Sequence, residues 1–220
     1  MLLVPRTSEL VWSRAALNDP SRSGWPYSEF LHLAPALASQ RSRVLFVGCG
    51  GGVSLHQFAS NYPGMTLDLV EHEPVVVKLA QDWFGLDAIP QLTVHVADGV
   101  EFIANAPPKT WDAIVLDAYD AEVGAPACCQ PAFFPALRRA LRPGGTVACN
   151  LIGTLGKNGP VRDFIASCSS VFDTVRKSFP LSTSMRLTLV TASATLWSLH
   201  DETKKALEAT QSHRRPRWRV

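Results

Sequence analysis

From Arg43 onward, apolar and polar positions alternate in blocks of two kinds. Short apolar runs occur at Arg43–Val47, Thr66–Val70, Leu92–Val96, Ala113–Asp117 and Thr146–Leu151, and these predict five strands. The intervening segments His56–Ser60, Pro74–Phe84, Val100–Ala104 and Phe133–Leu141 read as helices. Pro74 suits a first helical turn, and Pro143-Gly144-Gly145 stops the helix ahead of the fifth strand. Val161–Ser170 predicts another helix, Thr174–Phe179 and Met185–Thr191 two closing strands, and a last helix is expected near Asp201–Thr210. Apolar strands alternating with helices imply parallel βαβ units with both sheet faces covered. The expected fold is α/β: a doubly wound, mostly parallel seven-stranded sheet whose end is an antiparallel hairpin. Residues 1–40 hold Pro5, Pro20, Pro26 and Pro35 and no long periodic segment, which predicts a short N-terminal extension. The main domain is then expected over 41–200, with a C-terminal helix and basic tail over 201–220.

The 220 residues are 46% hydrophobic and 18% charged, enough for one sizeable core and too apolar for disorder. A net charge of +2 gives no global pull toward nucleic acid or an anionic membrane. No apolar run approaches the roughly 18 residues that would span a bilayer, and Met1–Pro5 lacks the marks of a signal peptide. The tail residues His213, Arg214, Arg215, Arg217, Trp218 and Arg219 read either as a solvated terminus or as a contact for an acidic partner. Cys49, Cys128, Cys129, Cys149 and Cys168 are odd in number and contain no C-x-x-C pair. Neither a disulfide framework nor a zinc site follows, no metal is expected, and a reducing cytoplasm fits.

Candidate chemistry begins where the first strand runs into Gly48-Cys49-Gly50-Gly51-Gly52. A glycine loop between a strand and a helix allows a tight turn and close approach to a nucleotide. Acidic residues then recur at the ends of the next three strands. Glu71 lies nineteen residues after Gly52 and can accept from both hydroxyls of a ribose, or stand as a solvated strand-end carboxylate. Asp98, in Ala97-Asp98-Gly99, can hold the exocyclic amine of adenine or cap the next helix, and one carboxylate can do both. Asp117 and Asp120 follow the fourth strand, as chemistry or as turn formers. Nicotinamide enzymes share the loop and the first acid. They need neither the acidic pair nor the Leu141-Arg142-Pro143-Gly144-Gly145 turn.

At these residues the sequence resembles the class I S-adenosylmethionine-dependent fold. More narrowly, it resembles the spermidine synthase-like branch, with its polyamine aminopropyltransferases and methyltransferase-like protein 13 relatives. The resemblance runs from Tyr27 to Gly153. Tyr27-Ser28-Glu29-Phe30 is similar to Tyr-x-Glu-Met, Val70-Glu71-His72-Glu73-Pro74 to Val-Glu-Ile-Asp-Pro, and Ala97-Asp98-Gly99 to Gly-Asp-Gly. Trp111–Asp120 is similar to the Tyr-Asp-x-Ile-x-x-Asp-Ser-x-Asp run that carries the branch's catalytic aspartate, and Asn150-Leu151-Ile152-Gly153 also has its counterpart. Phe46 is apolar where ordinary methyltransferases are acidic, as in spermidine synthases. Two features depart from the pattern. The polyamine synthases have Gly-Gly-Gly-Asp-Gly-Gly in the first loop, where the aspartate helps bind the aminopropyl amine, and this loop has none. They also carry an N-terminal β-domain, for which about 40 residues are too few.

The resemblance implies S-adenosylmethionine as cofactor, or its decarboxylated form. It places the cofactor on Gly48, Gly50, Gly51, Gly52, Glu71, Glu73, Asp98, Gly99 and Asp117. Asp120 is the expected general base, helped by Asp117 and Tyr119, with Tyr27, Glu29 and Asp120 lining the acceptor side. Ala121–Pro131 stands where the branch has a gating loop, and otherwise reads as a surface connection. The leading expectation is a methyltransferase acting on a small amine or a protein N-terminus, in a homodimer. The alternatives are an aminopropyltransferase making spermidine and an inactive nucleotide-binding module.

Overall fold

The computed structural model describes residues 2–3, 11, 13–16, 18–19, 26–118, 130, 132–151, 160–178 and 186–191. Strands β1 (Leu2–Leu3) and β2 (Ser13–Arg14) form a small antiparallel ladder at the N-terminus. Helices α1 (Pro26–Leu31) and α2 (Leu33–Leu37) follow. The main sheet then begins with β3 (Arg43–Val47), β4 (Thr66–Glu71), β5 (Leu92–Val96) and β6 (Trp111–Leu116), separated by α3 (Val53–Asn61), α4 (Pro74–Phe84) and α5 (Gly99–Asn105). Helix α6 (Phe133–Ala140), β7 (Leu141–Leu151), α7 (Pro160–Val171), β8 (Thr174–Ser178) and β9 (Arg186–Thr191) complete the described chain.

The sheet order is β5-β4-β3-β6-β7-β9-β8. Strands β3 to β7 are parallel, and β9 runs antiparallel between β7 and β8. The mostly parallel, doubly wound α/β sheet that the sequence predicts is the observed fold. Alternation along each strand supplies two apolar faces. Leu45, Val47, Ile114 and Leu116 face α5, α6 and α7 with Ile103, Phe134, Leu137 and Phe164. Val44, Phe46, Leu67 and Val115 face the other layer with Leu31, Phe58, Val77 and Ala80.

Several boundaries differ from the sequence pattern for local reasons. Helix α3 starts at Val53, three residues before the expected His56, because Gly52 serves as its N-cap and its carbonyl already accepts from the His56 N–H at 3.0 Å. Strand β7 begins at Leu141, where Trp111 pairs with it across an irregular register, so the Pro143-Gly144-Gly145 turn lies within the strand. Helices α1 and α2 carry no long periodic signal, yet Leu31, Leu33 and Ala34 are buried in the core. Both prolines fall in first turns, at Pro26 and Pro35, where the missing N–H costs nothing. Thr146 Oγ1 donates to the Ala34 carbonyl at 2.5 Å and ties this segment to the sheet.

The segment 119–129, the helix expected near Asp201–Thr210 and the basic tail lie outside the described residues. Among the described residues, no helix is long and apolar enough to cross a membrane.

Candidate active site

Strand order reverses between β3 and β6, and the carboxyl ends of these two strands meet there. Ligands bind at such a switch point in open α/β sheets. Strand β3 delivers Gly48, Gly50 and Gly52 with φ of 85°, 47° and 73°, left-handed values that favour glycine. The loop is also closely covered. A Cβ on Gly48 would lie 2.6 Å from the Asp117 carbonyl oxygen, one on Gly51 2.6 Å from the Phe84 ring, and one on Gly52 2.7 Å from Leu86 Cδ1. A Cβ on Gly99 would lie 2.6 Å from Val47 Cγ1. At these four positions the protein's packing on itself already requires glycine, whereas sequence alone suggests close approach to a ligand.

The loop amides are mostly committed. Gly48 N–H donates to the Val70 carbonyl at 2.9 Å and Gly52 N–H to the Cys49 carbonyl at 2.7 Å. Cys49 N–H donates to Glu71 Oε2 at 3.0 Å and Gly51 N–H to Ser13 Oγ at 2.6 Å. Gly50 N–H donates to no described residue. Burial and the adjacent Glu71 carboxylate push the Cys49 thiol far up, so it is an inert neighbour of the loop.

Glu71 is buried at the end of β4, and its Oε1 accepts from Glu73 N–H at 3.1 Å. With Cys49 on its other oxygen, it fastens the glycine loop to the β4–α4 turn. His72 Nδ1 lies 3.1 Å from Glu71 Oε1, and His72 Nε2 lies 3.4 Å from Glu73 Oε1. Glu73 is exposed and precedes Pro74 at the start of α4. Asp98 caps α5: its Oδ1 accepts from Val100 and Glu101 N–H at 2.8 and 2.9 Å. Its Oδ2 accepts from no described residue, and Asp98 is exposed, so capping leaves one carboxylate oxygen uncommitted among the described residues.

Asp117 follows β6, with its N–H on the Val47 carbonyl at 3.0 Å. Asn150 Nδ2 donates to its Oδ1 at 2.9 Å, and the Tyr27 hydroxyl donates to the same carboxylate. Burial pushes the Asp117 carboxyl above its ordinary range, against these two hydrogen bonds. Burial, then the Asp117 charge, raise the Tyr27 phenol well above its ordinary value, so Tyr27 remains a donor. Helix α1 thus brings Tyr27 to Asp117. It places Glu29 elsewhere, with its charge acting on Tyr62 beyond the end of α3. Asn150 has no assigned role in the sequence reading, and its signal there is the Asn150-Leu151-Ile152-Gly153 motif alone. Asp120 and Tyr119 lie outside the described residues.

The amino ends of the same strands treat their carboxylates differently. Buried Asp68 accepts from Arg43 Nε and Trp111 Nε1, each at 2.7 Å. Buried Asp112 accepts from Ser42 N–H at 2.8 Å and Arg142 Nη1 at 3.1 Å. Burial alone would raise both carboxyls, but these donors hold both below the ordinary range. No described arginine or lysine contacts Glu71, Asp98 or Asp117.

Residues 25–199 match the family model described as the spermine/spermidine synthase domain. The chain belongs to this family. It is 29% identical over 151 residues to spermidine synthase 1 of Hyoscyamus niger, covering 66% of this chain and 48% of that protein. It is 31% identical over 163 residues to putrescine N-methyltransferase 2 of Nicotiana attenuata, covering 71% of this chain and 44% of that protein. The chain therefore spans about half the length of the curated relatives it matches. Its fold is similar to human methyltransferase-like protein 13 in complex with SAH, with a TM-score of 0.70, 22% identity and coverage of 88% of this chain and 92% of that one. The family and the spermidine synthase-like class I fold expected from the motifs are both met.

Proposed function

We propose that this chain is an S-adenosylmethionine-dependent transferase that alkylates an amine-bearing acceptor, and that the group it moves is methyl. The observation that carries this reading is the set of carboxylates Glu71, Asp98 and Asp117 following β4, β5 and β6, none with a described arginine or lysine partner. A sulfonium donor and an ammonium acceptor are both cations, and each supplies the positive charge that this end of the sheet lacks among the described residues. The residues also fit the nucleoside. Asp98 Oδ2 and the Gly50 amide remain for the ligand, and Glu71 stands at the strand end suited to ribose hydroxyls. The bound sulfonium supplies an electrophilic carbon and a neutral thioether leaving group.

The protein's part is orientation and proton transfer. Asp117, held by Asn150 and Tyr27, receives the acceptor ammonium at the end of β6. Asp120, three residues on, takes the proton that frees the nitrogen lone pair, and Tyr119 helps to hold the amine. Glu73, beside His72 at the mouth, suits the donor's amino group. Glu29 keeps its expected place on the acceptor side only if acceptors extend toward Tyr62.

The choice of methyl rests on Gly51. A carboxylate side chain in this loop would serve an aminopropyl donor, and at Gly51 its Cβ would meet the Phe84 ring at 2.6 Å. The relative named putrescine N-methyltransferase supports the same choice. Aminopropyl transfer is the second reading, favoured by the relatives named spermidine synthase. The test is to incubate the chain with putrescine and either S-adenosylmethionine or its decarboxylated form, and to identify products by mass spectrometry. Methylated amine from the first donor is the expected product. Aminopropylated amine from the second, with none from the first, reverses the choice.

A further inference from the structure

Residues 13–16 and 18–19 lie across the start of α3, outside the residues 25–199 that identify the family. Two contacts and one longer-range charge hold them there. Ser13 Oγ accepts from Gly51 N–H at 2.6 Å, and Ser13 is itself buried. Ala15 packs with Val53 and Phe84 in a small apolar cluster of its own. The Asp19 charge acts on His56, whose Nε2 is 2.8 Å from the Phe84 carbonyl. The backbone of Ser13 is pinned in turn by pairing with Leu3 in the β1–β2 ladder.

Gly51 is buried between this segment and the Phe84 ring, so its N–H cannot reach water. Without Ser13 the amide would be an unpaired buried donor, which a loop relieves by rotating away. Rotation of Gly51 moves Gly50 and Gly52, the neighbours that set the loop's left-handed turn. We infer that Ser13 is a positioning residue for donor binding, and that residues 13–16 are a strap that keeps the glycine loop in its receptive shape. This rests on the proposal that the loop holds an S-adenosyl donor. A loop already in its bound conformation binds without the reordering cost that a relaxed loop carries.

The test uses the full chain, with S-adenosylhomocysteine as the calorimetric probe and S-adenosylmethionine in kinetics. Ser13→Ala is expected to raise Kd for the probe by about tenfold, the effect of one unpaired buried amide. The KM for the donor should rise by the same factor while kcat stays within about twofold. Ser13→Thr keeps the hydroxyl oxygen and is expected to restore most of the affinity, whatever small change in melting temperature it brings. Ser13→Cys, a weaker acceptor, should fall between them and serves if the alanine variant does not fold. Equal affinity in the wild-type and either the alanine or the cysteine variant overturns the inference. A loss of thermal stability with unchanged Kd makes Ser13 merely structural and overturns it too. Failure of the wild-type chain to bind the probe instead sinks the donor proposal itself.

Discussion

The two ends of the parallel sheet handle buried negative charge in opposite ways. At the amino ends, Asp68 and Asp112 are closed into ion pairs with Arg43 and Arg142, and both are held below the ordinary carboxylate range. At the carboxyl ends, Glu71 and Asp98 accept backbone amides, and among the described residues Asp117 accepts from an amide and a phenol. Asp117 is pushed up where Asp68 and Asp112 are pushed down. The first arrangement completes its own charge and stabilises the fold. In the second, no described arginine or lysine offsets the carboxyl groups, and under the proposed function a cationic ligand would do so.

The comparison breaks most visibly at its chemical end. Asp120→Asn is expected to lower turnover by about 100-fold or more in a steady-state assay of amine alkylation. Unchanged turnover would remove Asp120 from proton transfer. Glu71→Ala leaves the Cys49 and Glu73 amides without this acceptor and removes the proposed ribose partner. It should weaken S-adenosylhomocysteine binding by roughly 100-fold, counting more than one lost charged hydrogen bond. Asp68→Ala probes the other end. It should cost roughly 3 kcal/mol of stability by leaving Arg43 and Trp111 unmatched. That corresponds to a melting temperature lower by about 6–12 °C for a chain of this size. Donor affinity should stay within about threefold, and a large loss of affinity would blur the division between the two ends.

Stability against pH sharpens the contrast. The folded pKa of Asp68 lies below its unfolded value, so its contribution is present above the ordinary carboxylate pKa. It is lost as pH falls through the depressed folded value. Asp117 has a raised folded pKa, so its favourable contribution is present below the ordinary value. That contribution is lost as pH rises through the raised one. Denaturant titrations from pH 3 to pH 8 should therefore show Asp68→Asn flattening the acid limb. Asp117→Asn should instead gain relative to wild type as pH rises, with melting temperature unchanged or higher by about 2–4 °C and activity reduced about tenfold or more. If both variants shift in the same direction, the two ends do not differ as described. The smallest effect is expected from Asp98→Ala, which loses an N-cap worth about 1 kcal/mol and lowers donor affinity only modestly.

Much of this was legible in the sequence because it rests on local pattern. Apolar runs gave the parallel strands, and glycine and acidic residues at their ends marked one edge of the sheet. What escaped depends on long-range packing. Helices α1 and α2 are too short for a period, yet Leu31 and Ala34 are core residues. The contact between Ser13 and Gly51 joins residues 38 apart and leaves no mark on periodicity. Asn150 and Tyr27 reach Asp117 only because β7 pairs beside β6 and α1 packs against β7. The glycines were legible as a loop, while their cause was not. Phe84, Leu86 and Asp117 crowd three of them, and no spacing in the sequence pairs those residues.

Under the proposed function, the carboxyl ends of the parallel strands receive an S-adenosyl nucleoside. Titration calorimetry of the full chain with S-adenosylmethionine, S-adenosylhomocysteine and methylthioadenosine tests it most directly. Saturable binding of S-adenosylmethionine and S-adenosylhomocysteine is expected, with methylthioadenosine weaker and Asp68→Asn without effect on any of them. Binding of none of the three by the folded chain would contradict it.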